Sequence, residues 1–223
     1  MNLDNKNILK YVLKNKFGGV NQFGGVNQLK QNERASFINK YINKFKLLYS
    51  YINSKWHCFV QGVALSIYRD NEIISSKLNF PLEDWKIPDI DIWFKPEDEN
   101  YINDQLNKLV KEHPNEFFKF YRKSRRHHRF PKSFHLRAEI NNIKFSFLDL
   151  FFVKEIPNTS NLQLIGDGDR PPVRTEIIYP IKYVKILKYD LPIPNQIEIY
   201  LEKMYGADWK IPQNKGNIRP NYI

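Results

Sequence analysis

The feature that most constrains the fold is an apolar segment that contains two carboxylates, IPDIDIWF, at residues 87–94. Side chains in a β-strand alternate between its two faces, so Asp89 and Asp91 would point the same way, and Ile90 and Ile92 the other way. Two like charges side by side in a half-buried place are unfavourable unless a positive charge lies between them. The segment therefore predicts a strand whose two aspartates share a bound cation.

A second apolar segment, FSFLDLFF at residues 145–152, contains a single charge, Asp149. Burying a carboxylate without a partner is costly, so this residue is expected to have one. If the two strands pair side by side, three carboxylates converge on one edge of the sheet. Oxygen ligands of this kind suit Mg²⁺ or Mn²⁺, which leave coordination positions for water and substrate phosphates. Since an isolated Asp-x-Asp is also common in turns, the predicted catalytic and metal-binding site depends on Asp89, Asp91 and Asp149 together.

The other segments predict one α+β domain. Apolar residues at helical spacing predict a helix over residues 38–52, and the acidic turn after Pro96 predicts another that runs towards His113. Asn195 and Glu198 form a capping-box pattern at the start of a third helix, and Gly206 is placed to end it. WHCFVQG at residues 56–62 predicts a short strand that ends in glycine, and the Gly/Pro-rich segment at residues 158–174 predicts a polar loop. Helices and strands alternate without a regular βαβ order, which predicts a small mixed sheet with flanking helices.

Near the N-terminus, residues 17–28 repeat the hexapeptide FGGVNQ twice. Two copies are too few for a repeat architecture, and glycine pairs between polar residues favour a loop. We therefore expect a flexible segment over residues 1–30 and the folded domain over residues 31–223.

Charge and cysteine content limit the class of protein. The single cysteine excludes an internal disulfide and fits a reducing compartment. The sequence contains neither an apolar run of transmembrane length nor a secretion signal, so we expect a cytoplasmic protein. The net charge of +11 favours anionic partners.

Much of this charge lies in an aromatic and basic stretch at residues 119–137. With the two residues before it, Phe117 and Phe118, this stretch reads FFKFYRKSRRHHRFPKSFHLR. Its arginines Arg122, Arg125, Arg126 and Arg129 are the predicted residues for binding an anion or an acceptor. Interleaved aromatic and basic residues are also typical of nucleic-acid-binding surfaces. A solvated hairpin without a ligand is the alternative.

Further motifs carry a resemblance to a known family. The segment at residues 177–212 ends in MYGADWKIP, and it resembles the closing part of the LicD/fukutin family, which ends in Tyr-Gly-x-Asp-Trp-x-x-Pro. Upstream, GVALSIYRD is similar to the family's Gly-x-Leu-Leu-Gly-x-x-Arg motif. IPDIDI is similar to the end of its Asp-rich motif, and FLDLFF to its later Ile-Asp-Ile-Phe strand. The resemblance runs from about Trp56 to Pro212.

The resemblance implies a nucleotidyltransferase-like fold and a phosphotransferase activity. The family transfers a phosphorylated alcohol, of the phosphocholine or ribitol-phosphate type, from a CDP-linked donor to a glycan acceptor. It implies that the three aspartates hold the metal, and that three upstream residues contact the donor. These are Gly62, Ser66 and Arg69. The closing residues are expected to form a structural motif. They are Tyr205, Gly206, Asp208 and Trp209.

Departures from the family pattern leave alternatives open. Ile87 and Pro88 stand where the family has two more carboxylates, and Ser66 replaces its second glycine. One alternative is a catalytically inactive protein that binds nucleic acid through the basic stretch. Another is a nucleotidyltransferase that adds a nucleoside monophosphate to RNA or protein.

Overall fold

The computed structural model describes residues 26–74, 87–123, 133–165 and 172–211. Helices and strands both contribute substantially, which confirms the predicted α+β class. In chain order, the elements are α1 (Val26–Ile52), β1 (Cys58–Phe59), α2 (Gln61–Leu65, continued by a π-helical turn, Ser66–Asp70), β2 (Ile90–Phe94), α3 (Glu99–Glu112), β3 (Phe117–Lys123), β4 (Ser133–Ile140), β5 (Ile143–Glu155), β6 (Asn161–Ile165), β7 (Val173–Arg174), α4 (Thr175–Ile178), β8 (Lys182–Ile186), β9 (Tyr189–Ile193) and α5 (Ile197–Tyr205). Short 3₁₀ turns follow α1 (Asn53–Lys55) and precede α3 (Pro96–Asp98).

Seven of the strands in the described ranges form one mixed sheet. Its main order is β1-β2-β5-β4-β3, and β6 pairs with the end of β5 and with β7. The β2–β5 pair is parallel, whereas the other pairs of this sheet are antiparallel. β8 and β9 form a separate hairpin. The predicted small mixed sheet with flanking helices is confirmed.

Helix α1 supplies one large apolar surface, as its periodicity predicts. Phe37, Tyr41 and Phe45 are almost fully buried along it. The Tyr41 ring contacts Phe145 and Phe147 of β5, so the helix packs on the sheet. The helix begins at Val26, inside the second hexapeptide copy and well before the predicted start at residue 38, so residues 26–30 are helical and do not belong to the expected flexible segment. The first 25 residues, with the rest of the repeat, lie outside the described residues.

The boundary between β1 and α2 differs from the prediction. The sequence suggests a strand that continues to Gly62, but β1 ends at Phe59 and α2 begins at Gln61. Gln61 has a positive φ of 54°, which turns the chain sharply after Val60. Gly62 therefore lies in the first turn of a helix rather than at the end of a strand. Similarly, the strand predicted from residue 87 begins only at Ile90.

Two further expectations about local structure are wrong. Residues 161–165, which the sequence suggests are part of a polar loop, form β6 against the end of β5. Asn195 does not cap α5; its side-chain amide donates hydrogen bonds to the carbonyls of Glu176 and Tyr179 instead. The helix starts two residues later without a side-chain cap, and it ends at Gly206 as predicted.

Candidate metal centre

The parallel pairing of β2 with β5 forms the site. It places Asp91 directly opposite Asp149, and Asp89 lies just before the first residue of β2. The nearest carboxylate oxygens of the three residues all lie within 4.8 Å of one another. The structure thus brings together the three aspartates that the sequence singles out.

Burial makes this cluster electrostatically unusual. Asp91 is only 5% exposed, and the Asp149 side chain is 17% exposed. Burial, followed by the negative charge of Asp149, raises the pKa of Asp89 to about 7. Without a cation, Asp89 therefore keeps a proton in a large fraction of molecules at neutral pH, because a buried carboxyl group beside another carboxylate does not ionise readily.

A hard divalent cation fits this set of ligands. Three carboxylate oxygens in a confined volume match the oxygen coordination of Mg²⁺ or Mn²⁺, and no thiol or imidazole lies among the three ligating groups. A cation would also replace the proton on Asp89 and neutralise the buried charges. The residues present therefore fit the metal that the sequence predicts.

Tyr41 of α1 borders the site, and the sequence did not identify it as a site residue. Its hydroxyl donates a hydrogen bond of 2.9 Å to the carbonyl of Pro88, next to Asp89. Burial, and then the charges of Asp89 and Asp91, raise the pKa of Tyr41 well above its ordinary value. Its helical periodicity indicates a core residue, and no signal in the sequence indicates which loop its hydroxyl reaches.

Two further residues bind Asp149 directly. Oδ1 of Asp149 accepts a hydrogen bond of 2.7 Å from the hydroxyl of Ser146, and it lies 2.6 Å from Nδ1 of His135. His135 is paired with Asp149 in the β4–β5 register. The sequence places His135 within the basic stretch, and only the register of the strands identifies it as a neighbour of the site.

The predicted donor-binding residues lie on α2 and the turn that follows. A Cβ at Gly62 would meet nothing within 4 Å, so packing in this structure does not require a glycine there. Ser66 is buried at the start of the π-helical turn. Arg69 pairs through Nε and Nη2 with both carboxylate oxygens of Asp70, and Nη1 donates to the carbonyl of Trp209. Arg69 thus has a structural role that ties this turn to the C-terminal motif, and donor binding by these residues stays a prediction.

The C-terminal motif packs beside the same turn. Trp209 is buried, and its ring contacts Tyr68 at 5.9 Å between centroids. Gly206 has φ +90°, and the Trp209 amide donates to its carbonyl. Tyr205 ends α5, and Asp208 lies in the turn that follows. The motif thus forms a packed turn at the end of α5, and its structural role stays a prediction.

The basic stretch is only partly described. Arg122 lies on β3 opposite Phe134, whereas Arg125, Arg126 and Arg129 lie outside the described residues. Of the side chains that are described, Lys119 is exposed and its Nζ lies 5.0 Å from the centroid of the Tyr121 ring. His135 of β4 contacts Asp149, and β4 pairs with β3, on which Arg122 lies. The start of the basic stretch is therefore on a strand that neighbours the aspartate site.

No model of a known protein family matches the chain, and no curated protein is significantly similar to it. Among the helices of the described residues, none combines the length and apolar character needed to cross a membrane. Function is therefore inferred from the residues of the site and from the motifs in the sequence.

Proposed function

We propose that the protein is a metal-dependent phosphotransferase of nucleotidyltransferase-like fold. In this proposal, it transfers a phosphorylated alcohol, of the phosphocholine or ribitol-phosphate type, from a CDP-linked donor to a glycan acceptor. The observation that carries the metal-dependent part is the convergence of Asp89, Asp91 and Asp149 within 4.8 Å on the β2–β5 pair. The motif ending in Tyr205–Trp209, which resembles the LicD/fukutin family, motivates the cytidine donor.

Each part of the site has a role in this reaction. Asp89, Asp91 and Asp149 would hold Mg²⁺ or Mn²⁺ on the β2–β5 pair, inside the sheet. When bound, the cation would neutralise charge on the donor pyrophosphate and would favour ionisation of the attacking hydroxyl. Gly62 and Ser66 are the proposed contacts for donor phosphates, because they lie on the helical segment that follows β1, the strand beside the aspartates.

The experiment is thermal unfolding with CDP, CMP and other nucleotides, each with and without Mg²⁺ or Mn²⁺. A ligand that binds only the folded state and is present at 100 times its Kd stabilises by about 2.7 kcal/mol. For a domain of this size, that corresponds to a rise in Tm of roughly 5 to 10 °C. We expect a metal-dependent shift that is largest with cytidine nucleotides.

Two variants make the test specific. Asp91→Asn removes a metal ligand without changing side-chain volume, so the shift should disappear while the fold persists. Asp190→Asn on β9 changes an exposed aspartate of the separate hairpin, and it should behave as wild type. A shift that survives in Asp91→Asn would refute the metal assignment.

Nucleic-acid binding by an inactive protein is the second function, and the exposed Lys119 beside the Tyr121 ring favours it. This function predicts RNA affinity that falls steeply with salt, because binding releases counterions from phosphates. Replacing Arg125, Arg126 and Arg129 with Ala should weaken that binding, whereas Asp91→Asn should not. If no nucleotide or metal raises the Tm and RNA binds in this way, the transferase proposal is wrong. If every nucleotide raises the Tm in the thermal unfolding experiment, with no preference for cytidine, the result would instead favour an enzyme that transfers a nucleoside monophosphate.

A further inference from the structure

We propose that His135 is a positioning residue that holds Asp149 so that its Oδ2 atom is the one presented to the metal. This inference rests on the proposed metal-dependent function. It concerns a residue outside the three predicted ligands, and it makes a separate prediction about metal affinity.

The hydrogen bonds to Asp149 are asymmetric. Oδ1 receives the contacts of Ser146 and His135, 2.7 Å from Oγ and 2.6 Å from Nδ1 respectively. A further side-chain hydrogen bond joins Asp149 to Asp89 in the metal-free protein. A metal-binding carboxylate is ionised and only accepts hydrogen bonds, so Nδ1 of the ring carries the proton in this contact. A cation takes the place of the hydrogen bond between Asp89 and Asp149, whereas Ser146 and His135 stay on Oδ1. Oδ2 is therefore the oxygen offered to the cation, and binding through one oxygen is expected.

The imidazole ring is itself held in place. It stacks on Tyr121 of β3, with centroids 5.4 Å apart and an interplanar angle of 25°. Nζ of Lys119 lies 5.0 Å from the centroid of the same tyrosine. Only 12% of the His135 side chain is exposed. A ring fixed in this way loses little freedom when it donates to Asp149, so the orientation of the carboxylate is set before a metal arrives.

A bulge in the hairpin selects His135 for this position. Asn141 and Asn142 form the turn between β4 and β5, with φ values of 53° and 65°. From that turn, Ile140 pairs with Ile143 and the pairing proceeds regularly as far as Arg137 with Ser146. Without interruption, this register would place His135 opposite Leu148. A shift between Leu136 and Arg137 moves it opposite Asp149.

This shift also explains how both donors reach one oxygen. The register shift lies between Ser146 and Asp149, which are three residues apart in sequence. The side chains of these two residues therefore meet on the same side of the sheet. Bulges next to active sites commonly re-aim a side chain in this manner. Donors that orient a ligating group typically change metal affinity by about 10-fold to 100-fold when removed.

The test is titration of the full-length protein with Mn²⁺ followed by electron paramagnetic resonance, which counts free Mn²⁺. His135→Leu removes the donor, and we expect its Kd for Mn²⁺ to rise about 10-fold to 100-fold. His135→Asn places an amide nitrogen close to the former Nδ1, so it should recover most of the affinity. His135→Gln places its amide one bond further out, and it should recover less. His113→Leu removes a histidine at the end of α3 and should bind as wild type.

The outcomes separate this inference from the function on which it rests. If the wild-type protein binds no Mn²⁺, both are wrong. If the wild type binds and His135→Leu binds equally well, only the positioning role is overturned. If the Leu variant does not fold, the comparison of Asn with Gln decides: equal affinities would overturn the role, and tighter binding by Asn supports it.

A structure of the Mn²⁺ complex gives an independent readout. We expect Asp149 to reach Mn²⁺ through Oδ2 alone, with both hydrogen bonds to Oδ1 retained. Coordination through Oδ1 or through both oxygens would overturn the proposal.

Discussion

Asp89 makes the stability of the metal-free protein depend on pH in a direction that is unusual for a carboxylate. Its pKa rises from an ordinary value of 3.8 to about 7 in the folded state, first because it is buried and second because of the charge of Asp149. The folded protein therefore retains a proton at pH values where the unfolded chain has lost it. The resulting stabilisation is complete below about pH 4 and is lost as pH rises through about 7.

The size of this effect follows from the shift. Each unit of pKa corresponds to 1.36 kcal/mol, so a shift of about three units corresponds to about 4 kcal/mol of unfolding free energy. The loss is spread over the interval from pH 4 to pH 7, between the pKa of Asp89 in the unfolded chain and its pKa in the folded protein. Urea unfolding in EDTA, at half-unit steps over this interval, measures it. Asp89→Asn should remove most of the slope, and adding Mg²⁺ at pH 8 should restore stability to the wild type alone.

The control is Asp190→Asn, whose pH profile should match that of the wild type. Parallel profiles for the wild type and Asp89→Asn would refute the reasoning. They would mean that the carboxylates are not held together in the folded protein. The raised pKa of Asp89 would then no longer support a metal centre.

Three smaller predictions concern other contacts. Tyr41→Phe leaves the carbonyl of Pro88 without its hydroxyl donor, so the unfolding free energy should fall by about 1 to 3 kcal/mol and metal affinity should fall with it; unchanged values in urea and Mn²⁺ titrations would contradict this. Gly206→Ala forces a Cβ onto a residue at φ +90°, only 3.3 Å from Oδ1 of Asp208, and should cost about 1 to 2 kcal/mol, measured by urea unfolding. Burial raises the pKa of the Cys58 thiol well above its ordinary value, so iodoacetamide should modify it only after unfolding. Mass spectrometry measures the extent of modification over time, and rapid modification of the native protein would show that β1 is open.

The sequence predicts the centre of this site well because the pattern is local and the physical demand is strong. Asp91 and Asp149 each interrupt an apolar strand, and a buried carboxylate needs a partner. Convergence of the carboxylates depends on the two strands pairing side by side, and the structure pairs them. The mixed sheet follows from the irregular order of helices and strands, and the part of the first helix over residues 38–52 follows from its apolar periodicity.

Features that depend on distant contacts were not predictable. Asn195 has the sequence of a helix cap, yet its amide binds carbonyls of Glu176 and Tyr179 that only the fold brings close. The end of β1 is set by the positive φ of Gln61, a residue type that does not indicate such a conformation. The contact between His135 and Asp149 depends on a one-residue shift that the hairpin turn does not reveal.

The parallel pairing of β2 with β5 also makes metal binding a test of correct folding. Asp91 and Asp149 come from parts of the chain that are far apart in sequence, so the carboxylates meet only after a non-local pairing has formed. A slip of one residue would turn Asp149 towards the opposite face of the sheet and bring an apolar side chain in its place. Misregistered chains would thus lack the site altogether, and a divalent cation would selectively stabilise the correctly aligned sheet. During refolding, recovery of Mn²⁺ binding should therefore report when this one alignment is reached.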